Sequence, residues 1–160
     1  MPLSRLFEGI DPHVSLERNK ALSRRLYEEV FGKGNLDAAD EILDANCVTH
    51  GPGSPAATGT EGIKRQAQIL RTAFPDLRPI CRAQIAEADR VATHWTGTGT
   101  HTGPMTMPGV ISEPRSERIE FDEIRIDRFV DGRIVEVWFI PDRLRLWQQL
   151  GLSIETRLAS

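Results

Sequence analysis

The chain has 160 residues, of which 39% are hydrophobic and 27% are charged, and its formal net charge at pH 7 is −3. These values are typical of a globular protein with one hydrophobic core, so we interpret residues 1–160 as a single domain. Acidic and basic residues are interspersed along the chain, which argues against a nucleic-acid partner or an anionic membrane surface.

Two further features predict a cytoplasmic protein. Cys47 and Cys81 lie in apolar runs and are too few for a disulfide framework, so we expect buried free thiols. The N-terminal residues lack the long apolar core of a signal peptide, and no stretch is long and apolar enough to cross a membrane.

Helical periodicity dominates the first part of the chain. Prolines and a glycine in residues 1–13 predict an N-terminal arm without regular structure. Apolar residues at four-residue steps predict a helix over residues 14–31, with Ser15 as its N-cap and Gly32 at its end.

Two more helices are predicted before the spacing of the apolar residues changes from helical to strand-like. The first covers residues 37–43, and the second begins after Thr60 and ends at Pro75. Between them, residues 46–50 read as a short strand and residues 51–59 as a loop rich in glycine and proline.

The second half of the chain predicts strands, over residues 77–88, 91–101, 119–130 and 133–140. Asp131 and Gly132 predict a tight hairpin between the last two strands. Residues 103–118 read as a long loop, and residues 142–150 as a final helix. Helices followed by consecutive antiparallel strands indicate an α+β fold, in which a curved sheet wraps over the helices and encloses a pocket.

Several short motifs follow one another along the chain. They are NKAL at 19–22, YEEV at 27–30, GNLD at 34–37, His50, GTEG at 59–62, FPD at 74–76, GTGTHTG at 97–103, RF at 128–129, DGRI at 131–134, the E-x-W-x3-D pattern at 136–142, and QLG at 149–151. Together these motifs resemble the SnoaL-like polyketide cyclase (ester cyclase) family, and they cover residues 19–151 in the family's order. The sequence departs from the family pattern at residues 113–117, where relatives often carry a Pro-Thr-Gly-Lys-like turn.

This resemblance implies a cone-like α+β barrel of the nuclear transport factor two-like superfamily. It also implies an intramolecular aldol closure without metal or cofactor, in which an aspartate in the pocket acts as the base. By motif that aspartate is Asp142 here. Because the fold hosts many activities, the resemblance does not identify the substrate.

The residues themselves give Asp142 two possible roles. It stands where an apolar strand ends, and strand periodicity would place it on the same face as Glu136 and Trp138. Burial beside tryptophan would raise the pKa of the carboxyl toward that of a useful base. The alternative is structural, because aspartate directly before a helix is a preferred N-cap.

Three histidines lie in or beside predicted strands and could polarise a carbonyl group or relay a proton. His50 and His101 lie in family-like motifs and are the candidates for catalysis beside Asp142, whereas His94 ranks below them as a pocket residue. For any single one of the three, the favoured interpretation is a hydrogen-bonded, partly buried histidine without chemistry. Their spacing is not that of a metal site, so we predict no metal.

A further set of residues is predicted to form the wall of the substrate pocket. The candidates are His94, Trp95, Met107, Phe121, Arg128, Glu136 and Trp138. For Arg128 and Glu136 the favoured interpretation is an ion pair across the hairpin, with binding of a substrate carbonyl or carboxylate by Arg128 as the alternative.

The leading hypothesis is therefore a cofactor-independent enzyme that cyclises, isomerises or dehydrates a small apolar carbonyl compound. A second hypothesis is an epoxide or ester hydrolase, which needs a water held by two carboxylates with an arginine between them. A third is a small-molecule-binding domain without chemistry. Apolar residues on both faces of the last strands predict a homodimer or larger homo-oligomer through the convex face of the sheet.

Overall fold

The computed structural model describes residues 12–52, 56–107 and 110–152. Four α-helices and one π-helical segment are present, namely α1 (Pro12–Arg25), the π-helix (Leu26–Lys33), α2 (Asp37–Ile42), α3 (Glu61–Ala73) and α4 (Arg143–Gln149). The predicted N-terminal arm falls mainly on residues outside the described part, and Pro12 already belongs to α1. Within the described residues, no helix is long and apolar enough to cross a membrane.

The strands are β1 (Leu43–His50), β2 (Ala57–Thr58), β3 (Arg78–Glu87), β4 (Arg90–Thr100), β5 (Met105–Met107), β6 (Val110–Ser112), β7 (Arg118–Val130) and β8 (Arg133–Pro141). Six of them form one sheet in the order β2-β1-β8-β7-β4-β3, and β5 pairs with β6 in a separate hairpin. The curved sheet is open, and every pair is antiparallel except β1 with β8. The α+β fold with helices packed on a curved, mostly antiparallel sheet is confirmed.

Local sequence signals account for most of the element ends. Asp131 and Gly132 both have positive φ, 49° and 75°, as a two-residue hairpin requires, and they join β7 to β8 as predicted. The first helix runs two residues past the predicted stop and ends at Gly34, whose left-handed φ of 76° lets its backbone N–H donate to the Glu29 carbonyl.

The predicted long loop over residues 103–118 contains a hairpin that the sequence did not reveal. Each of its strands, β5 and β6, has only three residues. Met105 is buried in the core, and the Ser112 hydroxyl donates to the backbone carbonyl of Leu150 at 3.4 Å. Tertiary packing rather than local propensity therefore fixes this hairpin.

The helices cover the concave face of the sheet. Helix α1 packs against β3 and β4, and the π-helix packs against α3 and β3. Leu26, Val30 and Phe31 of the π-helix are buried, and α4 closes the far end over β7 through Leu146. The core thus lies between the helices and the concave face, where a pocket can form.

Strand β7 decides which side chains face that core. Alternate residues along it are buried, namely Ile119, Phe121, Glu123, Arg125, Asp127 and Phe129. A bulge opposite Arg128 and Phe129 shifts the register of β8, so Ile134 and Val137 are both buried. Glu136 pairs in register with Arg128 and Trp138 with Ile126, so both lie on the convex face, contrary to the predicted placement beside a pocket.

Candidate active site

An interior pocket lies between the concave face of the sheet and the helices. Its walls are Tyr27, Phe31, Leu70, Leu77, Pro79, Trp95, Gly97, Phe121 and Glu123. The free volume is about 20 Å³, which is room for about one water molecule. The lining is mostly apolar, and Glu123 contributes its carboxyl group.

Close packing of aromatic rings shapes this pocket. Tyr27 stacks on Trp95 with ring centroids 4.4 Å apart and an interplanar angle of 8°. Phe121 lies over Gly97, where an added Cβ would come within 2.8 Å of the ring. Gly97 therefore makes space for the aromatic wall.

Glu123 is the ionisable group of the pocket. It is 7% exposed, and among the described residues its Oε1 atom has no hydrogen-bond partner. Burial raises the pKa of Glu123 to about 7, although the nearby positive charge of Arg125 opposes the shift. Trp95 is its direct neighbour across the β4–β7 pairing, and its Nε1–H also lacks a partner within the described part of the chain.

Next to Glu123 on the same face lies a buried ion pair. Arg125 donates from Nε to Asp127 Oδ1, and Ser23 donates its hydroxyl to Asp127 Oδ2 at 2.7 Å. The Arg125 guanidinium carbon lies 5.0 Å from the centroid of the Tyr27 ring. The Nη2 atom of Arg125 is buried and has no hydrogen-bond partner among the described residues. Asp127 is thus fully engaged, whereas Glu123, Trp95 and Arg125 each keep an unused polar atom.

The buried polar atoms without hydrogen-bond partners are available to bind a ligand. A buried polar group without a partner costs about 1–3 kcal/mol, so native proteins keep few of them. Glu123 Oε1 can accept a proton, while Trp95 Nε1–H and Arg125 Nη2–H can donate to a carbonyl or enolate oxygen. These groups are one proton acceptor and two donors, which are the types of group that deprotonation of a carbonyl compound uses.

Asp142 does not line this pocket. It is exposed, and its Oδ1 atom accepts a hydrogen bond of 2.9 Å from the backbone N–H of Arg145 in the first turn of α4. Of its two predicted roles, the structure shows the N-cap. Among the described residues, no hydrogen bond or ion pair joins it to His50, His101 or Trp138, the partners expected from the sequence.

His50, Glu136, Arg128 and Trp138 form a cluster on the convex face of the sheet. One carboxylate oxygen of Glu136 forms a hydrogen bond of 2.9 Å with His50 Nε2. The other accepts a hydrogen bond of 3.0 Å from Arg128 Nε. The His50 ring stacks on Trp138 with centroids 5.2 Å apart. Hydrogen bonding to His50, followed by Arg128, lowers the pKa of Glu136. The predicted Glu136–Arg128 pair is confirmed, but the cluster lies outside the pocket.

The other two candidate histidines also lie apart from the pocket. His94 is on the convex face, with Nε2 3.3 Å from Asp122 Oδ1. His101 is fully buried beside Phe74, with ring centroids 5.4 Å apart, and burial lowers its pKa. Neither of its ring nitrogens has a hydrogen-bond partner among the described residues.

Of the predicted wall residues, Trp95 and Phe121 do line the pocket. Met107 is partly buried and packs against the core from β5. In residues 12–52, 56–107 and 110–152, no group of three or more His, Cys, Asp or Glu side chains is placed to hold a metal ion. Cys47 is a buried free thiol as predicted, and burial raises its pKa to about 11, whereas Cys81 is only partly buried.

Sequence reasoning missed Glu123, Arg125 and Tyr27. A signal was present, because Glu123, Arg125 and Asp127 alternate along β7 and must share one face. Ile124 and Ile126 occupy the alternate positions, however, and hydrophobic patterning alone would have turned those isoleucines inward. The choice of face needed the structure.

Comparison with known proteins places this geometry in context. A model of the SnoaL-like polyketide cyclase family matches residues 21–150. The structure of IdmH from Streptomyces antibioticus, a candidate polyketide cyclase, is 30% identical and has a TM-score of 0.70, over 84% of this chain and 99% of that one. AclR from Streptomyces galilaeus, a candidate hydroxylase, is 26% identical with a TM-score of 0.73, over 85% and 97% of the two chains.

A candidate SnoaL-like polyketide cyclase from Jannaschia sp. CCS1 has a TM-score of 0.78 over 91% of this chain and all of its own. Its identity of 22% makes this a likeness of fold. Among curated proteins none matches the sequence.

Proposed function

Since the chain belongs to the SnoaL-like polyketide cyclase family, we propose that it is a cyclase-type enzyme whose base is Glu123. The family and the similar solved structures support a cyclase-type function. The observation that carries the finer proposal is the unpartnered Glu123 carboxyl inside an apolar pocket. The substrate is a small, largely apolar compound with two carbonyl groups.

In the proposed reaction, Glu123 takes a proton from a carbon next to one carbonyl group. The resulting enolate oxygen accepts hydrogen bonds from Trp95 Nε1 and Arg125 Nη2, two of the buried donors that have no partner among the described residues. The enolate carbon then forms a bond to the second carbonyl carbon, and Glu123 returns its proton to the new alkoxide. The reaction is redox-neutral and needs no cofactor.

The protonation behaviour of Glu123 suits this role. A general base is most effective when its pKa lies near the working pH, and burial raises the pKa of Glu123 to about 7. Only the ionised carboxylate accepts a proton. We therefore expect activity to rise with pH through about 7, and to become flat above it, because Glu123 is then fully ionised.

The test compares two carboxyl-to-amide substitutions, Glu123→Gln and Asp142→Asn. Exchange of the α-hydrogens of 2-tetralone with deuterium, followed by proton NMR, reports proton abstraction without knowledge of the natural substrate. We expect Glu123→Gln to slow exchange by about 10²–10⁴-fold, the usual contribution of a positioned base. Asp142→Asn should keep the wild-type exchange rate and nearly the wild-type stability, because the asparagine side-chain oxygen caps α4 as well as that of aspartate.

The opposite result would restore the aspartate base that the family resemblance implies. If Asp142→Asn abolished exchange in a folded protein while Glu123→Gln exchanged normally, Glu123 would be structural. A wild-type protein that bound the ketone without exchanging it would favour a non-catalytic binding domain, which the exposure of Asp142 and the small free volume also favour.

Hydrolysis of an epoxide or ester is the second candidate function. Glu123, Arg125 and Asp127 supply two carboxylates with an arginine between them on one face, and the free volume of about 20 Å³ is enough for one water molecule. Asp127 is saturated by Arg125 and Ser23, so Glu123 would activate the water. Styrene oxide tests this reading, because Glu123-activated water should form the diol faster than the spontaneous reaction does, and Glu123→Gln should form it at the spontaneous rate.

A further inference from the structure

Two wall residues of the interior pocket also line a groove on the protein surface. Leu77 and Pro79 face the pocket on one side and, on the other, a groove of about 360 Å³ formed with Glu28, Gly32, Lys33 and Arg78. Two other large grooves, one at Gly34 and Arg71 and one on the convex face at Ile85, share no wall residue with the pocket. At this groove, a single layer of side chains separates the pocket from solvent.

The layer lies between the edge strand β3 and the end of the π-helix, where Arg71 donates hydrogen bonds to the backbone carbonyls of Phe31 and Gly32. Pro79 lies near the start of β3, at the edge of the sheet, and has no N–H to donate to a neighbouring strand. Opposite it, the π-helix ends at Lys33, and an added Cβ on Gly32 would lie 3.1 Å from the Pro79 ring. The layer is thus made where a helix end meets a strand end, and rotation of the Leu77 side chain, which precedes β3, leaves the pairing of Arg78 and Pro79 with β4 in place.

The groove also carries unpaired positive charge. Lys33 and Arg78 are both exposed, and neither forms an ion pair within the described residues. Glu28 is the one acidic residue of the groove lining, so the local balance favours an anion. The interior pocket, in contrast, offers an apolar wall.

We propose that this groove is the substrate entrance and that the substrate is an apolar carbonyl compound with an anionic end, most simply a carboxylate. The apolar body passes Leu77 and Pro79 into the pocket, which widens as these side chains move. The anionic end stays in the groove between Lys33 and Arg78. The inference rests on the proposed function in placing the reacting carbonyl at Glu123.

Two fluorescent probes with the same ring skeleton test the entrance. The anionic probe is 8-anilinonaphthalene-1-sulfonate, and N-phenyl-1-naphthylamine is its neutral counterpart. The chain has three tryptophans, so Trp138→Phe with Trp147→Phe leaves Trp95 alone, in the pocket wall. Energy transfer from Trp95 then gives a Kd for each probe, independently of turnover, and the comparison of variants locates the binding.

In this background, the entrance variant Lys33→Gln with Arg78→Gln should weaken the anionic probe by about three- to tenfold, since each exposed charge contributes up to about 1 kcal/mol. The affinity for the neutral probe should change by less than about twofold. The control is Arg65→Gln with Arg118→Gln, which removes the same charge from exposed positions elsewhere and should leave both affinities unchanged.

Three results would overturn the inference. One is that neither probe accepts energy from Trp95, because the layer then does not open. The second is an equal loss of affinity for both probes in the entrance variant. The third is that the control variant weakens binding of the anionic probe as much as the entrance variant does. Each result stands whether or not Glu123 proves to be the base, since only Glu123→Gln and Asp142→Asn exchange rates decide that question.

Discussion

The two faces of β7 carry similar acidic and basic side chains in opposite environments. On the concave face, Glu123, Arg125 and Asp127 are at most 7% exposed, and several of their polar atoms lack partners. On the convex face, Arg128 forms an ion pair with Glu136, and both side chains are partly exposed to solvent.

The pKa values of the carboxyl groups follow this division. Burial raises the pKa of Glu123, whereas a hydrogen bond from Thr96 lowers the pKa of its sequence neighbour Asp122. Residues one position apart therefore differ in chemistry because of burial and partners rather than residue type. The comparison predicts that the same substitution has different effects on the two faces.

The largest difference is expected for the two ion pairs. Asp127→Asn leaves Arg125 buried without its carboxylate, and breaking a buried pair in this way costs about 3–5 kcal/mol. Glu136→Gln removes the partner of Arg128 at the surface, where water replaces the lost charge, and should cost far less. Urea unfolding of both variants measures the two losses, and equal losses would contradict the distinction between the faces.

The second largest difference between the two faces is expected in the pH dependence of stability. The folded-state pKa of Glu123, about 7, lies above its ordinary value of 4.5, so the native state holds the proton more tightly than the unfolded chain. This contribution is complete below about pH 4.5 and is lost as the pH rises through about 7. At 1.36 kcal/mol per pKa unit, the difference between 4.5 and about 7 amounts to roughly 3 kcal/mol.

Other groups titrate with the opposite sign, so the control matters. The lowered pKa of buried His101 adds stability as the pH rises toward 6.5, and the lowered pKa values of Asp122 and Glu136 act in more acidic solution. The informative quantity is therefore the difference between wild type and Glu123→Gln at pH 5 and pH 8. If this difference were independent of pH, Glu123 would be ionised normally inside the protein.

These contrasts also explain how much of the structure the sequence could predict. The order of elements, the tight hairpin at Asp131 and the Glu136–Arg128 pair depend on local chemistry, and all were predictable. The alternative role of Asp142 as an N-cap was equally readable, since it needs only the following helix.

The site itself was not readable, because it depends on which face of the sheet closes on the helices. Patterning rules bury isoleucine and expose charge, yet Ile124 and Ile126 are exposed at 50% and 37% while Arg125 and Asp127 are buried. The buried charges are tolerated because they pair with each other, a contact that single-residue preferences do not contain. The bulge opposite Arg128 then moves Glu136 and Trp138 out of the predicted pocket.

A smaller effect is expected from filling the concave face. Gly97→Ala would place a Cβ 2.8 Å from the Phe121 ring, and overpacking of this kind costs about 1–3 kcal/mol. Phe121→Leu in the same chain should recover part of the loss, because the shorter side chain makes room. A double-mutant cycle on thermal unfolding measures this coupling, and strictly additive effects would mean that the ring does not limit the space at Gly97.

The smallest effect on the fold is expected on the convex face, where we propose that a second copy of the chain docks. Ile140 is 69% exposed there and is the register partner of Ile124 across the β7–β8 ladder, so apolar side chains stay in water unless a partner covers them. Light scattering at micromolar concentration should give a homodimer for the wild type and a monomer for Ile140→Glu. Because Ile140 is exposed within one chain, the variant should keep its helix and sheet content and its monomer stability to within about 0.5 kcal/mol. A monomeric wild type would contradict the proposal, and a dimeric Ile140→Glu variant would place the interface elsewhere.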